Sequence, residues 1–195
     1  MRKEHRSTVT ESMPEAEVTL RLAFWLLDRA GQKSYADIAI DGAHIRIAKH
    51  RQAGRLIKER TVFDIQSFLA ANECHPGNLK HEWRGSYSRK GQTLTIKAVR
   101  GFDVHVRGDG KGIKAECKGG PLHPVNGRSP AAILARAIGQ VIVSDWNAHS
   151  EEPWVAVPDS PTFENAGKRI LKSRAFASTG IRIALVGRSG VRLLG

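Results

Sequence analysis

The chain has no apolar run approaching the roughly 18 residues that a membrane-crossing helix requires, so the sequence predicts no membrane partner. Cysteine is scarce. Cys74 and Cys117 stand far apart and make neither a disulfide framework nor a CxxC pair. The eight histidines form no HExxH pattern and no Cys/His pairing at zinc-finger spacing. No GxxxxGK[ST] loop is present, which excludes P-loop nucleotide hydrolysis, and no GxSxG elbow supports a serine hydrolase. Gly187-Arg188-Ser189-Gly190 is too short to cradle a phosphate and reads as a hairpin turn. The opening Met1-Arg2-Lys3-Glu4-His5-Arg6 is charged with no apolar stretch behind it, so no secretory leader is expected. With two lone cysteines, this predicts a reduced, cytoplasmic setting.

Acidic residues are also few beside basic ones, 19 against 31 in 195 residues, a net charge of +12. Apolar residues make up 41%, enough for a folded core and too many for an intrinsically disordered chain. The length suits a single domain. A strongly basic protein of this size is expected to bind a polyanion, because Lys and Arg neutralise phosphates and release their counterions. Arg46, Lys49, Arg51, Arg55 and Lys58 form the densest basic stretch and are the candidate nucleic-acid contacts. Trp83 and Tyr87 nearby are candidate stacking surfaces.

Residues 1–13 read as a polar tail, and residues 14–92 as an N-terminal helix followed by hairpin and loop segments that contact substrate. Pro14 opens a helix over 15–30 that Gly31 stops. Asp41-Gly42 predicts a hairpin pairing Ile38 and Ile40 with Ile45 and Ile47. A short helix is expected over 62–71 and a loop over 72–84. Residues 93–195 are clearer: strands over 94–98, 102–106 and 113–117, a helix from Pro130 behind Ser129 to about Trp146, a strand over 154–157, a helix over 163–176, and strands over 181–186 and 191–194.

The chemistry concentrates between Gly101 and Gly120. Phe102, Val104 and Val106 alternate with Asp103, His105 and Arg107, while Ile113, Ala115 and Cys117 alternate with Lys114, Glu116 and Lys118. A turn at Gly108–Lys111 sets Val106 opposite Ile113, Val104 opposite Ala115 and Asp103 opposite Glu116. A slip of one residue would turn a whole apolar set outward. In this register Asp103, Glu116 and Lys118 share one face. Two carboxylates suit a hard divalent cation, and an ammonium beside them balances charge on a phosphodiester. The competing reading is a surface hairpin whose exposed charges have little consequence. Asp109 lies between two glycines, where turn chemistry explains it, so Asp103 is the preferred carboxylate. His105 shares the same face and is a candidate phosphate contact.

Asp103 followed by Glu116-Cys117-Lys118 on an apolar strand after a hairpin, then Gly119-Gly120, a loop and a helix, resembles the PD-(D/E)xK nuclease superfamily. The resemblance implies an α/β fold with a restriction-endonuclease-like core, a mixed central sheet flanked by helices, ordered helix, three-strand meander, helix, strand. It places that core in residues 93–195, with residues 15–30 as its first helix. It implies Mg²⁺, with Mn²⁺ as the alternative, held by Asp103, Glu116 and the Cys117 carbonyl, and Lys118 orienting or activating the attacking water. Gln140 becomes a secondary catalytic candidate and Glu17 the candidate acid of the first helix. Ser144 stands where one exonuclease branch carries an aromatic residue, and Phe102 stands where many members have proline. The implied activity is metal-dependent hydrolysis of DNA, DNA being favoured over RNA. A homodimer is the arrangement that cutting both strands favours. Two alternatives stay open: a nucleic-acid-binding module of the same fold without turnover, and an unrelated basic α/β RNA-binding protein.

Overall fold

The computed structural model describes residues 12–41, 63–98, 101–123 and 129–195, together with the backbone of four two-residue strands between 46 and 61. In chain order the elements are β1 (Ser12–Met13), α1 (Glu15–Ala30), β2 (Tyr35–Ala39), β3 (Arg46–Ile47), β4 (Arg51–Gln52), β5 (Arg55–Leu56), β6 (Arg60–Thr61), α2 (Ile65–Ala71), β7 (His75–His81), β8 (Arg84–Arg89), β9 (Gln92–Lys97), β10 (Val104–Arg107), β11 (Gly112–Cys117), β12 (Gly120–Pro121), α3 (Pro130–Val143), β13 (Glu151–Pro158), α4 (Pro161–Leu171), α5 (Arg174–Ala177), β14 (Arg182–Val186) and β15 (Val191–Leu194). Nine strands form one mixed sheet in the order β15-β14-β13-β11-β10-β2-β9-β8-β7.

Strand patterning decides the layering. Trp154-Val155-Ala156-Val157 and Ile183-Ala184-Leu185-Val186 are unbroken apolar runs, as expected of parallel strands buried on both faces. Trp154, Ala156, Ala184 and Val186 pack into the core beneath α1, while Val155, Val157, Ile183 and Leu185 pack against α3 and α4. β10 and β11 are different. Val104, Val106, Ala115 and Cys117 supply the α1 core, but their opposite face carries charged and polar residues. The α3–α4 layer is therefore matched to β13 and β14 and leaves polar ground on β10 and β11.

Most predicted elements lie close to their expected places. Ser129 accepts from Ala132 N and Pro130 begins α3, as capping chemistry requires. Several expectations need correction. Residues 94–98, 102–106 and 113–117 are not neighbouring strands of one meander, because β2 lies between β9 and β10, parallel to the first and antiparallel to the second. Ile38 pairs with Val104 and Ile96, and Ile47 pairs with Arg60, so these two do not pair across Asp41-Gly42 as expected, while Gly42 and Ile45 lie outside the described residues. Strand pairing consequently runs across the 92/93 boundary. The expected loop over 72–84 contains β7, an edge strand whose register shifts around Pro76 and Leu79, the setting in which a sheet tolerates proline. α3 stops at Val143 rather than Trp146. The helix expected over 163–176 is divided into α4 and α5, with Ser173 recapping the second through Phe176 N.

Gly119 fixes how the chain enters α1. β1 pairs with β12, setting Met13 opposite Gly120, and a Cβ on Gly119 would stand 2.5 Å from Glu15 N and 2.8 Å from Met13 O. Both obstacles are backbone, which cannot rotate aside. Gly119→Ala is expected to cost about 2–3 kcal/mol, the range for an overpacked site. That would lower the melting temperature by roughly 5–10 °C in a chain of this length. Thermal unfolding checks it, and an unchanged melting temperature would show that the entry to α1 yields readily.

Candidate active site

β10 and β11 pair in the expected register, Val104 opposite Ala115 and Val106 opposite Ile113. Asp103 stands one step beyond that ladder, at the level of Glu116. Its Oδ2 accepts from Cys117 N at 2.8 Å. Lys118 Nζ donates to Glu116 Oε1 at 2.7 Å and lies 3.7 Å from Glu15 Oε2. Asp103, Glu116 and Lys118 are thus brought together, while Asp109 is exposed on the turn. The cluster is not the exposed charged face of a surface hairpin, since Glu116 is only 6% exposed.

Burial sets the electrostatics. It pushes the Asp103 carboxyl up to about 7, helped by the neighbouring Glu116 charge and opposed by the Cys117 N–H and the Lys118 ammonium. Burial also raises Glu116, against the hydrogen bond and charge of Lys118. For Lys118, burial alone would favour the neutral amine, but the hydrogen bond and charge of Glu116 outweigh it and hold the group above its usual value. Lys118 is therefore an ammonium at any physiological pH. It can orient a water or balance negative charge, but it cannot accept a proton. The Cys117 thiol is wholly buried beneath α1 and burial pushes it far up, so the side chain takes no part in chemistry.

The acid contributed by α1 is Glu15, not Glu17. Residues two apart on a helix point some 200° apart. Glu15 faces Lys118, and its charge acts on Asp103, Glu116 and Lys118. Glu17 is 4% exposed and is clamped by Arg21 and Arg188, each at 3.0 Å, tying α1 to the turn between β14 and β15. The signal available in the sequence was the Gly119-Gly120 pair, which permits the start of α1 to approach the end of β11. The Glu15–Lys118 pair is partly exposed, so Glu15→Gln is expected to change any activity of the cluster by no more than about fivefold. A loss as large as that from changing Glu116 would make Glu15 a direct participant.

Gln140 lies on α3 between Arg136, whose charge acts on Glu116, and Ser144, whose hydroxyl donates to the Gln140 carbonyl. Its Oε1 is buried with no hydrogen-bond partner among the described residues, and it makes no hydrogen bond to the acidic cluster. His105 is on the cluster's face, beside Glu151 Oε1 at 3.3 Å, and it accepts from Arg107 Nε at 2.9 Å. Burial and then the Arg107 charge hold it below the ordinary imidazole range. Trp83 and Tyr87 are not stacking surfaces. Both are buried, and the Tyr87 hydroxyl donates to the Trp83 carbonyl at 2.7 Å inside the core. Of the basic stretch, the strands holding Arg46, Arg51 and Arg55 are described in backbone only, and Lys49 and Lys58 lie outside the described residues.

A cation has suitable donors here. Among the described residues no group of three or more His, Cys, Asp and Glu side chains is arranged to hold a metal. The donor types that Asp103, Glu116 and the Cys117 carbonyl offer are nevertheless those of Mg²⁺, which keeps several waters and takes one or two protein carboxylates. Asp103 uses Oδ2 and Glu116 uses Oε1, so Oδ1 and Oε2 have no hydrogen-bond partner among the described residues. Burial is the main reason that both carboxyls are raised, with the Glu116 charge adding to it at Asp103 and the Glu15 charge at Glu116. Compared with known protein families, curated proteins and solved structures, the chain matches none.

Proposed function

We propose that the protein is a metal-dependent nuclease that hydrolyses DNA phosphodiester bonds, with Asp103, Glu116 and the Cys117 carbonyl as the cation ligands. The observation that carries this reading is the pairing of half-buried Asp103 with Glu116, itself only 6% exposed, beside an ammonium held by Glu116 at 2.7 Å. Burying two like charges is costly in an ordinary fold and has a use where a cation is received. The succession α1, β2, β10, β11, α3, β13 supports it. These elements read as helix, three antiparallel-connected strands, helix and a strand parallel to β11, with residues 40–103 inserted between the first and second strands. A restriction-endonuclease-like core has that order.

A bound Mg²⁺ would supply acidification of a water and neutralisation of charge on the phosphate. The chain's own groups do the rest. Glu116 and Asp103 would set the position, the Cys117 N–H holds Asp103 in place, and the Lys118 ammonium orients the attacking water and faces the charge that builds on the phosphate oxygens. Net charge of +12 draws the polyanion in. The test is incubation of purified protein with supercoiled and linear DNA, in Mg²⁺ or EDTA. Cutting that needs the metal is the expected result. DNA bound but uncut in every divalent metal would favour a binding module. Neither binding nor cutting would overturn the reading.

A further inference from the structure

Beside the acidic cluster, β2, β10 and β11 floor a cavity of about 450 Å³ on the α3 side of the sheet, bounded at one end by Ser144 and Asp145 where α3 stops. It lies next to the cluster: Phe102, which precedes Asp103, and Ala39, whose N donates to Asp103 O at 2.8 Å, both line it. His105 and Lys114, opposite one another on β10 and β11, come next on the face that carries Asp103 and Glu116. They lie two residues along each strand, about 6.6 Å at ~3.3 Å per residue. The cavity therefore extends away from the cluster along β10 and β11.

Its wall holds three kinds of chemistry. Lys97 Nζ, 2.6 Å from Asp37 Oδ1, and Lys114 Nζ, 3.0 Å from Glu151 Oε2, place two ammonium groups on it. Lys114 Nζ also donates to Asp145 O at 2.9 Å, so of the three donors of each ammonium Lys97 keeps two and Lys114 keeps one for a phosphate. Asp37 and Asp145 offer acceptors. Phe102 gives a flat apolar wall, with Lys114 Nζ 5.5 Å from its ring centre, and Ala39 extends that wall. An inorganic anion would use only the lysines, and an aliphatic chain only the Phe102 side. A nucleotide uses all three: phosphate at the ammonium groups, base against the ring, exocyclic amino group toward a carboxylate. The volume falls within the range of small-molecule sites, roughly 300–1,000 Å³.

We propose that this cavity seats one nucleotide of the substrate strand, turned out of its stack, next to the phosphate that the Asp103–Glu116 cluster addresses. The inference rests on the nuclease reading and deepens it by naming the substrate class. Unstacking a paired base costs free energy that an already opened strand does not, so the enzyme prefers single-stranded or locally opened DNA to intact duplex.

The test titrates the whole protein, in EDTA, with each of the four deoxynucleoside 5′-monophosphates and with inorganic phosphate, by calorimetry or NMR. It is repeated on Phe102→Ala and on Lys97→Ala, whose side chain is 57% exposed and can be removed without harm to the fold. At least one monophosphate is expected to bind more tightly than phosphate. Phe102→Ala is expected to weaken it at least about fivefold, the lower end of what loss of an aromatic stacking partner does, and Lys97→Ala is expected to weaken it as well. In parallel, cleavage of single-stranded and duplex DNA is measured for all three proteins. Monophosphates that bind no better than phosphate, or equally well in both variants, would overturn the seat even if the protein cuts DNA. Monophosphate binding lost in the variants, in a protein that cuts nothing, would sustain the seat and sink the nuclease reading instead.

Discussion

Asp103→Asn is expected to stabilise the metal-free protein, and to do so more strongly as pH rises. The folded-state carboxyl titrates at about 7 against an ordinary value of 3.8. Below 3.8 the group is protonated whether the chain is folded or not, and its burial carries no charge penalty. Between 3.8 and 7 the folded protein holds a proton that the unfolded chain releases, so stability falls as pH rises. Above 7 the full cost is present and constant. Each tenfold change in proton affinity is worth about 1.4 kcal/mol, so that cost is at most on the order of 4 kcal/mol. Asparagine keeps the shape and an oxygen to accept from Cys117 N, and it exchanges the repulsion of Glu116 for a neutral neighbour. The expected gain in EDTA at pH 8 is roughly 5–10 °C in melting temperature. At pH 4 only about a tenth of it remains. Adding Mg²⁺ at pH 8 is expected to raise the wild-type melting temperature and to leave that of the Asp103→Asn variant nearly unmoved, because a ligand that binds only the folded state stabilises it. An Asp103→Asn protein no more stable than wild type at pH 8 would mean that the carboxylate is already compensated in the fold. A position where the native residue costs stability is one that function has kept.

The hairpin that carries this cost was legible from its alternation alone. Val104, Val106, Ala115 and Cys117 must all bury together, which leaves one register and puts Asp103, Glu116 and Lys118 on the other face. What alternation does not reveal is whether the other face is covered. Glu116 is buried, and nothing within 101–120 says so. β2 was recognisable as a strand, but its partners Val104 and Ile96 stand some sixty residues away, and Asp41-Gly42 supplied a nearer, wrong partner. Sequence-local turn chemistry outweighs a distant pairing until the sheet is seen whole. The same distance hid Glu15 behind Glu17. Both lie in the first turn of α1, and only the β1–β12 pairing and the bare backbone of Gly119 decide which one meets Lys118. Trp83 and Tyr87 misled for the opposite reason. An aromatic residue in a strand carries no mark of whether it stacks on a base or fills a core, and here β8 turns Tyr87 inward with its hydroxyl satisfied by Trp83 O. The cavity floor draws on three strands, β2, β10 and β11, with Lys97 of β9 beside it, so no window of sequence contains it.

Lys118→Ala and Glu116→Gln are expected to remove DNA cleavage by a factor of about 10³ or more, the scale of losing a preorganised charge at a developing anion together with its neighbour's alignment. The two changes act on different links. Glu116→Gln keeps the volume and an acceptor but lacks the charge for the cation, so higher Mg²⁺ or a change to Mn²⁺ is expected to recover part of the rate. Lys118→Ala leaves the carboxylates intact, and no metal concentration is expected to restore it. Its removal also strands Glu116, whose only hydrogen bond among the described residues comes from Lys118. The carboxyl is then expected to hold its proton to higher pH, and any residual cleavage to shift its pH dependence upward. Lys118→Arg preserves the charge on a broader head in a site where the lysine side chain is only 14% exposed, and it is expected to keep folding and DNA affinity while losing most of the rate. DNA affinity measured in EDTA separates chemistry from binding: one cation lost from a protein of net charge +12 changes affinity little while the cleavage rate collapses. Cleavage by Lys118→Ala within about threefold of wild type would remove Lys118 from the chemistry. The Asp103–Glu116 pair would then have to act without it, or the cluster would be a structural one whose cost no catalysis offsets.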